Sequence, residues 1–207
     1  MQAYLSPLPL IAILRGIRPP EAADIGQVLY DSGFRCIEVP LNSPDPFDSI
    51  RRLREALPDD CLIGSGTTLQ PQQVDAVKAA GGQLIVMPHS DPAVIRAAKA
   101  AGLYCAPGVA TPTEGFAALA AGADLLKLFP AEQLGPLVLK AWRAVFPKSV
   151  LLAPVGGVTP DNMQEYWSAG ADGFGLGSAL YKAGLGAAEV RQRAEAFATA
   201  YRRLSPH

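Results

Sequence analysis

Only two histidines and three cysteines occur in these 207 residues, and the chain as a whole carries almost no net charge. The histidines, His89 and the final His207, stand far apart in sequence and away from any Cys or carboxylate pattern with metal-ligand spacing, so a metal centre is not expected. Cys36, Cys61 and Cys105 are odd in number and widely spaced, each beside an apolar run, which predicts reduced core thiols rather than disulfides. Lys plus Arg (18) and Asp plus Glu (19) balance to a net charge of −1, so no field exists to hold a polyanion, and nucleic acid is not an expected partner. Apolar runs approaching the roughly 18 residues of a membrane-spanning helix are also missing. The N-terminal stretch MQAYLSPLPLIAILRG has its arginine after the apolar part, the reverse of a secretory signal. Together these absences predict a soluble, cytoplasmic protein that meets no membrane.

No linker, charge block or low-complexity stretch divides the chain, and its 20 Gly and 19 Pro are spread throughout, which predicts one domain over residues 1–207. What recurs is a short apolar run, a turn and a stretch of helical periodicity. The runs are PLIAIL (9–14), FRCIEV (34–39), CLIG (61–64), QLIVM (83–87), LYCA (103–106), LLKLF (125–129), VLLAPV (150–155) and GFGLG (173–177). Ala-rich amphipathic segments follow them near 20–32, 46–57, 71–80, 91–101, 112–121, 135–146, 160–169 and 187–203. Prolines such as Pro71, Pro92 and Pro112 stand near the starts of these segments, and glycines such as Gly33, Gly102 and Gly170 near their ends. Runs apolar on both faces suit buried parallel strands. Eight even strand–helix units predict an α/β chain closed as a (β/α)8 TIM barrel, with a doubly wound open sheet as the alternative.

In a barrel, chemistry gathers at the C-terminal ends of the strands. There the run Leu125-Leu126-Lys127-Leu128-Phe129 carries one amine, and alternation places Leu125, Lys127 and Phe129 on one face. Burial would leave that amine neutral and able to attack a ketone, or else Lys127 is paired with a carboxylate or extended to the barrel mouth. Glu38 interrupts the second run in the same way; it can move protons for such an attack, or form a plain ion pair with the lysine. Arg15, in ILRG, offers a fork of donors to a carboxylate or phosphate, or caps a strand end. GSGT (64–67) puts small residues and the Thr67 hydroxyl after the third strand. Late in the chain, VGG (155–157) and GLGS (175–178) fall where barrels bind phosphate. Gly156, Gly157, Gly177 and Ser178 can supply amides and a hydroxyl, helped by a short helix after Ser178, unless the glycines serve turn geometry alone. The Asp59–Asp60 pair belongs to the opposite end, and Trp142 and Trp167 to outer packing or subunit contacts.

The motifs ILRG, EVPLNSP, GSGT, LKLFPA and PVGGVTPDN, in this order and spacing over nearly the whole chain, resemble the 2-keto-3-deoxy-6-phosphogluconate and -galactonate aldolases. The resemblance implies a barrel, usually a homotrimer, that works through an imine-forming lysine without a metal or other cofactor. By position the lysine is Lys127, the proton-transferring carboxylate is Glu38, and the substrate contacts are Arg15, Thr67, Gly157, Gly177 and Ser178. Gluconate enzymes of the family typically carry Thr before the Gly-Gly pair and Arg four residues after the glutamate. Val155 and Asn42 stand there instead, which is similar to the galactonate branch and makes these two the expected specificity positions.

The expected reaction is therefore cleavage of a phosphorylated keto-deoxy sugar acid to pyruvate and D-glyceraldehyde 3-phosphate, through an imine on Lys127. Three other readings remain open on the residues: the same chemistry on the gluconate epimer or on a hydroxy-oxo acid, a non-covalent sugar-phosphate isomerase using Glu38 as base, and a barrel that binds sugar phosphate without turnover.

Overall fold

A computed structural model describes residues 1–6 and 8–204, so His207 lies outside the described residues. Two parallel sheets form its frame. In the larger, β5 (Tyr104–Ala106), β4 (Leu84–Val86), β3 (Leu62–Gly66), β2 (Cys36–Pro40), β1 (Leu10–Ile13) and β9 (Phe174–Leu176) lie side by side in that order. The smaller holds β6 (Gly108–Val109), β7 (Leu126–Leu128) and β8 (Leu152–Pro154). Every predicted apolar run contains a strand. The fifth continues past its predicted end, because Pro107 has no amide to donate and breaks it into β5, paired with β4, and β6, paired with β7. Between the two sheets, Val155, just after the edge strand β8, bridges Gly175 of the edge strand β9 in parallel.

Helices follow the strands as the start and stop residues dictate. Pro lies in the first turn of α2 (Pro19–Asp31), α3 (Pro46–Ala56), α4 (Pro71–Ala79), α5 (Pro92–Ala100) and α6 (Pro112–Ala120). Thr111 and Glu114 form a reciprocal capping box at α6, and Gly33 ends α2 with φ +101. Two boundaries differ from the periodicity. α7 (Ala131–Arg143) begins four residues before the expected Gly135, whose φ of +73 and ψ of 170 separate a first turn from the body that Pro136 opens. α8 (Met163–Ser168) begins later than 160, because Asn162 first turns back to accept from the Thr159 amide at 2.9 Å. The last helix is α9 (Ala187–Arg202), and no described helix is long and apolar enough to cross a membrane.

Strand alternation divides the apolar residues into two sets. Leu126 and Leu128 join the large core between strands and helices. Leu125 turns the other way and meets Ile11, Cys36, Leu62, Leu84 and Ala153, drawn from both sheets, so the two sheets curl around one inner cluster. A short unpredicted helix, α1 (Gln2–Leu5), covers that cluster with buried Met1 and Leu5, while Tyr4 meets Tyr104 edge-on at 6.0 Å. All three cysteines are buried free thiols.

Candidate active site

Residues of the inner set that lie further along their strands open into a cavity of about 500 Å³. Lys127 follows Leu125 on the inner face of β7, and Glu38 follows Cys36 on the inner face of β2. Both line this cavity and both are buried, at 7% and 2% exposure. Burial lowers the Lys127 pKa below the ordinary lysine value; the Arg15 guanidinium adds to this and the Glu38 carboxylate opposes it. The Glu38 carboxyl is pushed up to about 7 by burial, against the opposing pull of Lys127 and Arg15. The two groups do not form an ion pair within 4.0 Å, and Glu38 Oε2 has no hydrogen-bond partner. Lys127 Nζ lies instead over the Phe129 ring, 4.6 Å from its centroid. This is an amine held towards its neutral form beside a carboxyl that titrates near neutrality, a combination suited to nucleophilic attack with local proton transfer.

The other predicted positions surround this pair. Arg15, Thr67, Val155, Gly157, Gly177 and Ser178 all line the cavity. Arg15 is tied down, its Nη1 donating to Asn42 Oδ1 at 2.7 Å and its Nη2 to Thr67 Oγ1 at 3.4 Å. Asn42 is the one predicted site residue that does not line the cavity. Thr67 has φ +54, a left-handed backbone that costs a β-branched residue on the order of 1–3 kcal/mol and persists only where its surroundings enforce it.

The glycines divide by what surrounds them. A Cβ at Gly177 would meet nothing within 4 Å, so its backbone faces open space in the cavity wall. Side chains on Gly156 or Gly157 would instead strike Glu132, in the first turn of α7. In GSGT a Cβ on Gly66 would overlap the Glu38 carboxylate, and one on Gly64 the Leu84 carbonyl. Their smallness makes room for protein atoms. After Ser178 the expected short helix is a single turn, in which the Leu180 and Tyr181 amides both donate to the Gly177 carbonyl at 2.9 and 3.0 Å.

Glu132, Thr159, Tyr181 and Lys182 also line the cavity and were not singled out from the sequence. Lys182, four residues beyond Ser178, is the one with a legible signal, a cation just past a glycine-rich turn. His89 is exposed in the loop after β4 and its carbonyl accepts from the Gly108 amide at 3.2 Å. Among the described residues no group of three His, Cys, Asp or Glu is placed to hold a metal ion.

A family model described as KDPG and KHG aldolase matches residues 1–197, and the chain belongs to that family. Among its relatives, "Probable 2-dehydro-3-deoxy-6-phosphogalactonate aldolase" of Rhizobium meliloti (strain 1021) is 52% identical over 193 residues, covering 93% of this chain and 91% of the relative. "2-dehydro-3-deoxy-6-phosphogalactonate aldolase" of Escherichia coli (strain K12) is 50% identical, with 94% and 95% covered. A solved structure described as "Native KDPGal structure" superposes with a TM-score of 0.92 at 49% identity, over 94% of this chain and 95% of that one.

Proposed function

We propose that this chain is a lysine-imine aldolase that cleaves 2-dehydro-3-deoxy-6-phosphogalactonate to pyruvate and D-glyceraldehyde 3-phosphate. The observation that carries the reading is the buried Lys127 amine, held towards neutrality in one cavity with the raised Glu38 carboxyl. The substrate is drawn from relatives at about 50% identity that bear this name.

In this mechanism the neutral Lys127 amine attacks the C2 ketone, and Glu38 passes the proton that lets the carbinolamine lose water as a protonated imine. The imine draws in the electron pair of the C3–C4 bond as the C4 hydroxyl gives up its proton to the Glu38 carboxylate, so glyceraldehyde 3-phosphate departs. The remaining enamine takes a proton at C3, and water releases pyruvate. Arg15 and Thr67 serve the carboxylate end, while Gly157, Gly177 and Ser178 receive the phosphate, with Lys182 beside them. Val155, whose methyls pack onto Gly175, presents no hydroxyl to the sugar chain, and we assign it a part in choosing the C4 epimer.

The same reading takes residues 1–207 as one domain closed into an eightfold barrel. The Val155–Gly175 bridge and the passage of the chain through Pro107 between the two sheets support closure. A homotrimer is proposed from the family resemblance, and the apolar side chains left at the surface, Leu137 at 83% exposure, Val145 at 54% and Phe116 at 48%, are available to subunit contacts. Free buried thiols suit a reducing cytoplasm.

Borohydride reduction in the presence of pyruvate tests the core of the reading. A pyruvate-derived mass on Lys127 is expected in wild type and absent in Lys127→Met; no adduct in wild type would overturn the imine. Cleavage rates on the two C4 epimers test the sugar, and equal rates would remove Val155 from the account.

A further inference from the structure

Arg15 is an exposed side chain on a flexible stem, of a kind that ordinarily samples many rotamers. Here two of its nitrogens are held by acceptors from separate loops, Asn42 after β2 and Thr67 after β3. Neither acceptor is a carboxylate. An amide and a hydroxyl orient the guanidinium without neutralising it, so its charge stays available to a ligand, and three of its five N–H donors remain unused.

Both acceptors are themselves fixed. Thr67 keeps its left-handed φ of +54 because Thr68, next in the chain, is anchored: its amide donates to the Val86 carbonyl at 3.3 Å and its hydroxyl meets that of buried Ser65 at 2.7 Å. Asn42 sits one residue beyond Leu41, whose amide donates to the Gly66 carbonyl at 2.8 Å. Since Asn42 does not line the cavity, Arg15 is its route to anything bound there.

We infer that Asn42 and Thr67 are positioning residues that clamp the Arg15 guanidinium, presenting its free donors as a preset grip for the carboxylate of a keto acid. Asn42 thus acts on substrate binding through Arg15 rather than by touching the sugar chain. A group oriented before binding loses little freedom when the ligand arrives, and the ketone is then delivered to Lys127 in a fixed pose. The identity of the gripped carboxylate rests on the proposed aldolase reaction; the clamp itself rests on the hydrogen bonds.

A double-mutant cycle separates the two. Asn42→Ala should raise KM about tenfold with a smaller change in kcat, and should add nothing further in an Arg15→Lys background, since the clamp would already be lost. Asn42→Asp keeps an oxygen acceptor but cancels the charge, and should raise KM at least as much. Pyruvate affinity by calorimetry, in a Lys127→Met background where no imine can form, should fall about tenfold with Asn42→Ala. Additive losses in the cycle, an Asn42→Asp enzyme equal to wild type, or unchanged pyruvate affinity would each overturn the clamp. Borohydride trapping of the wild type judges the imine independently, so a failure there leaves the affinity measurement to decide on Arg15.

Discussion

Gly66 and Glu38 share one small volume on the inner face of adjacent strands: a methyl group on Gly66 would occupy space that the Glu38 carboxylate already fills. Because the obstructed atoms are the far end of a side chain, Gly66→Ala should fold with Glu38 displaced from its position. Loss of a placed general acid and base is worth on the order of 10²–10⁴ in rate, so kcat should fall by about a hundredfold while the thermal midpoint drops only a few degrees. Steady-state kinetics beside a melting curve check this; an unchanged kcat would mean that the position of Glu38 is not needed.

Stability should report the same carboxyl. Glu38 ionises at about 7 in the folded chain against an ordinary value of 4.5, so between these values the folded state binds the extra proton. The stability it contributes is complete below 4.5 and is lost as pH rises through 7. Glu38→Gln should abolish this slope and leave the protein more stable above pH 7 by on the order of 3 kcal/mol. Lys127 acts with the opposite sign in a more alkaline window, up to its ordinary value of 10.5, where the unfolded chain is the better proton binder. Urea unfolding from pH 4 to 11 separates the two.

Removing the lysine should move the glutamate. Lys127 is the larger of the two charges that pull the Glu38 pKa down, so Lys127→Met, beyond ending turnover, should carry the Glu38 titration above 7. Carbon-13 NMR of the labelled carboxyl measures this directly. A titration left at the same pH would show that the two groups do not sense each other.

Periodicity made Lys127 and Glu38 legible, because an ionisable group in an otherwise apolar strand is conspicuous and alternation sets its face. The same rule placed Leu125 and Phe129 with the lysine. It could not foresee that Asn42 reaches Arg15 from another loop, since that contact spans 27 residues and depends on how two turns meet. Glycine motifs were read towards a ligand, yet Gly64 and Gly66 yield their space to Leu84 and Glu38, neighbours that only strand register identifies. Helix α1 escaped notice because four residues are too few to show a period.

Two aspartates at strand starts, neither of them in the cavity wall, should affect stability alone. Asp124 accepts from the Cys105 amide at 2.8 Å and from Lys99 Nζ at 2.7 Å; Asp172 accepts from the Leu152 amide at 2.7 Å and from Arg143 Nη2. Each ties a strand amide and a helix cation to the start of a later strand, β7 for Asp124 and β9 for Asp172, and neither lines the cavity. Asp172→Ala leaves the amide and the guanidinium without that partner, which should cost about 1–3 kcal/mol. Asp172→Asn keeps an acceptor for the amide but loses the charge, so it should cost less. Both variants should keep the wild-type KM; a rise in KM would mean that this end of the sheet is coupled to the cavity.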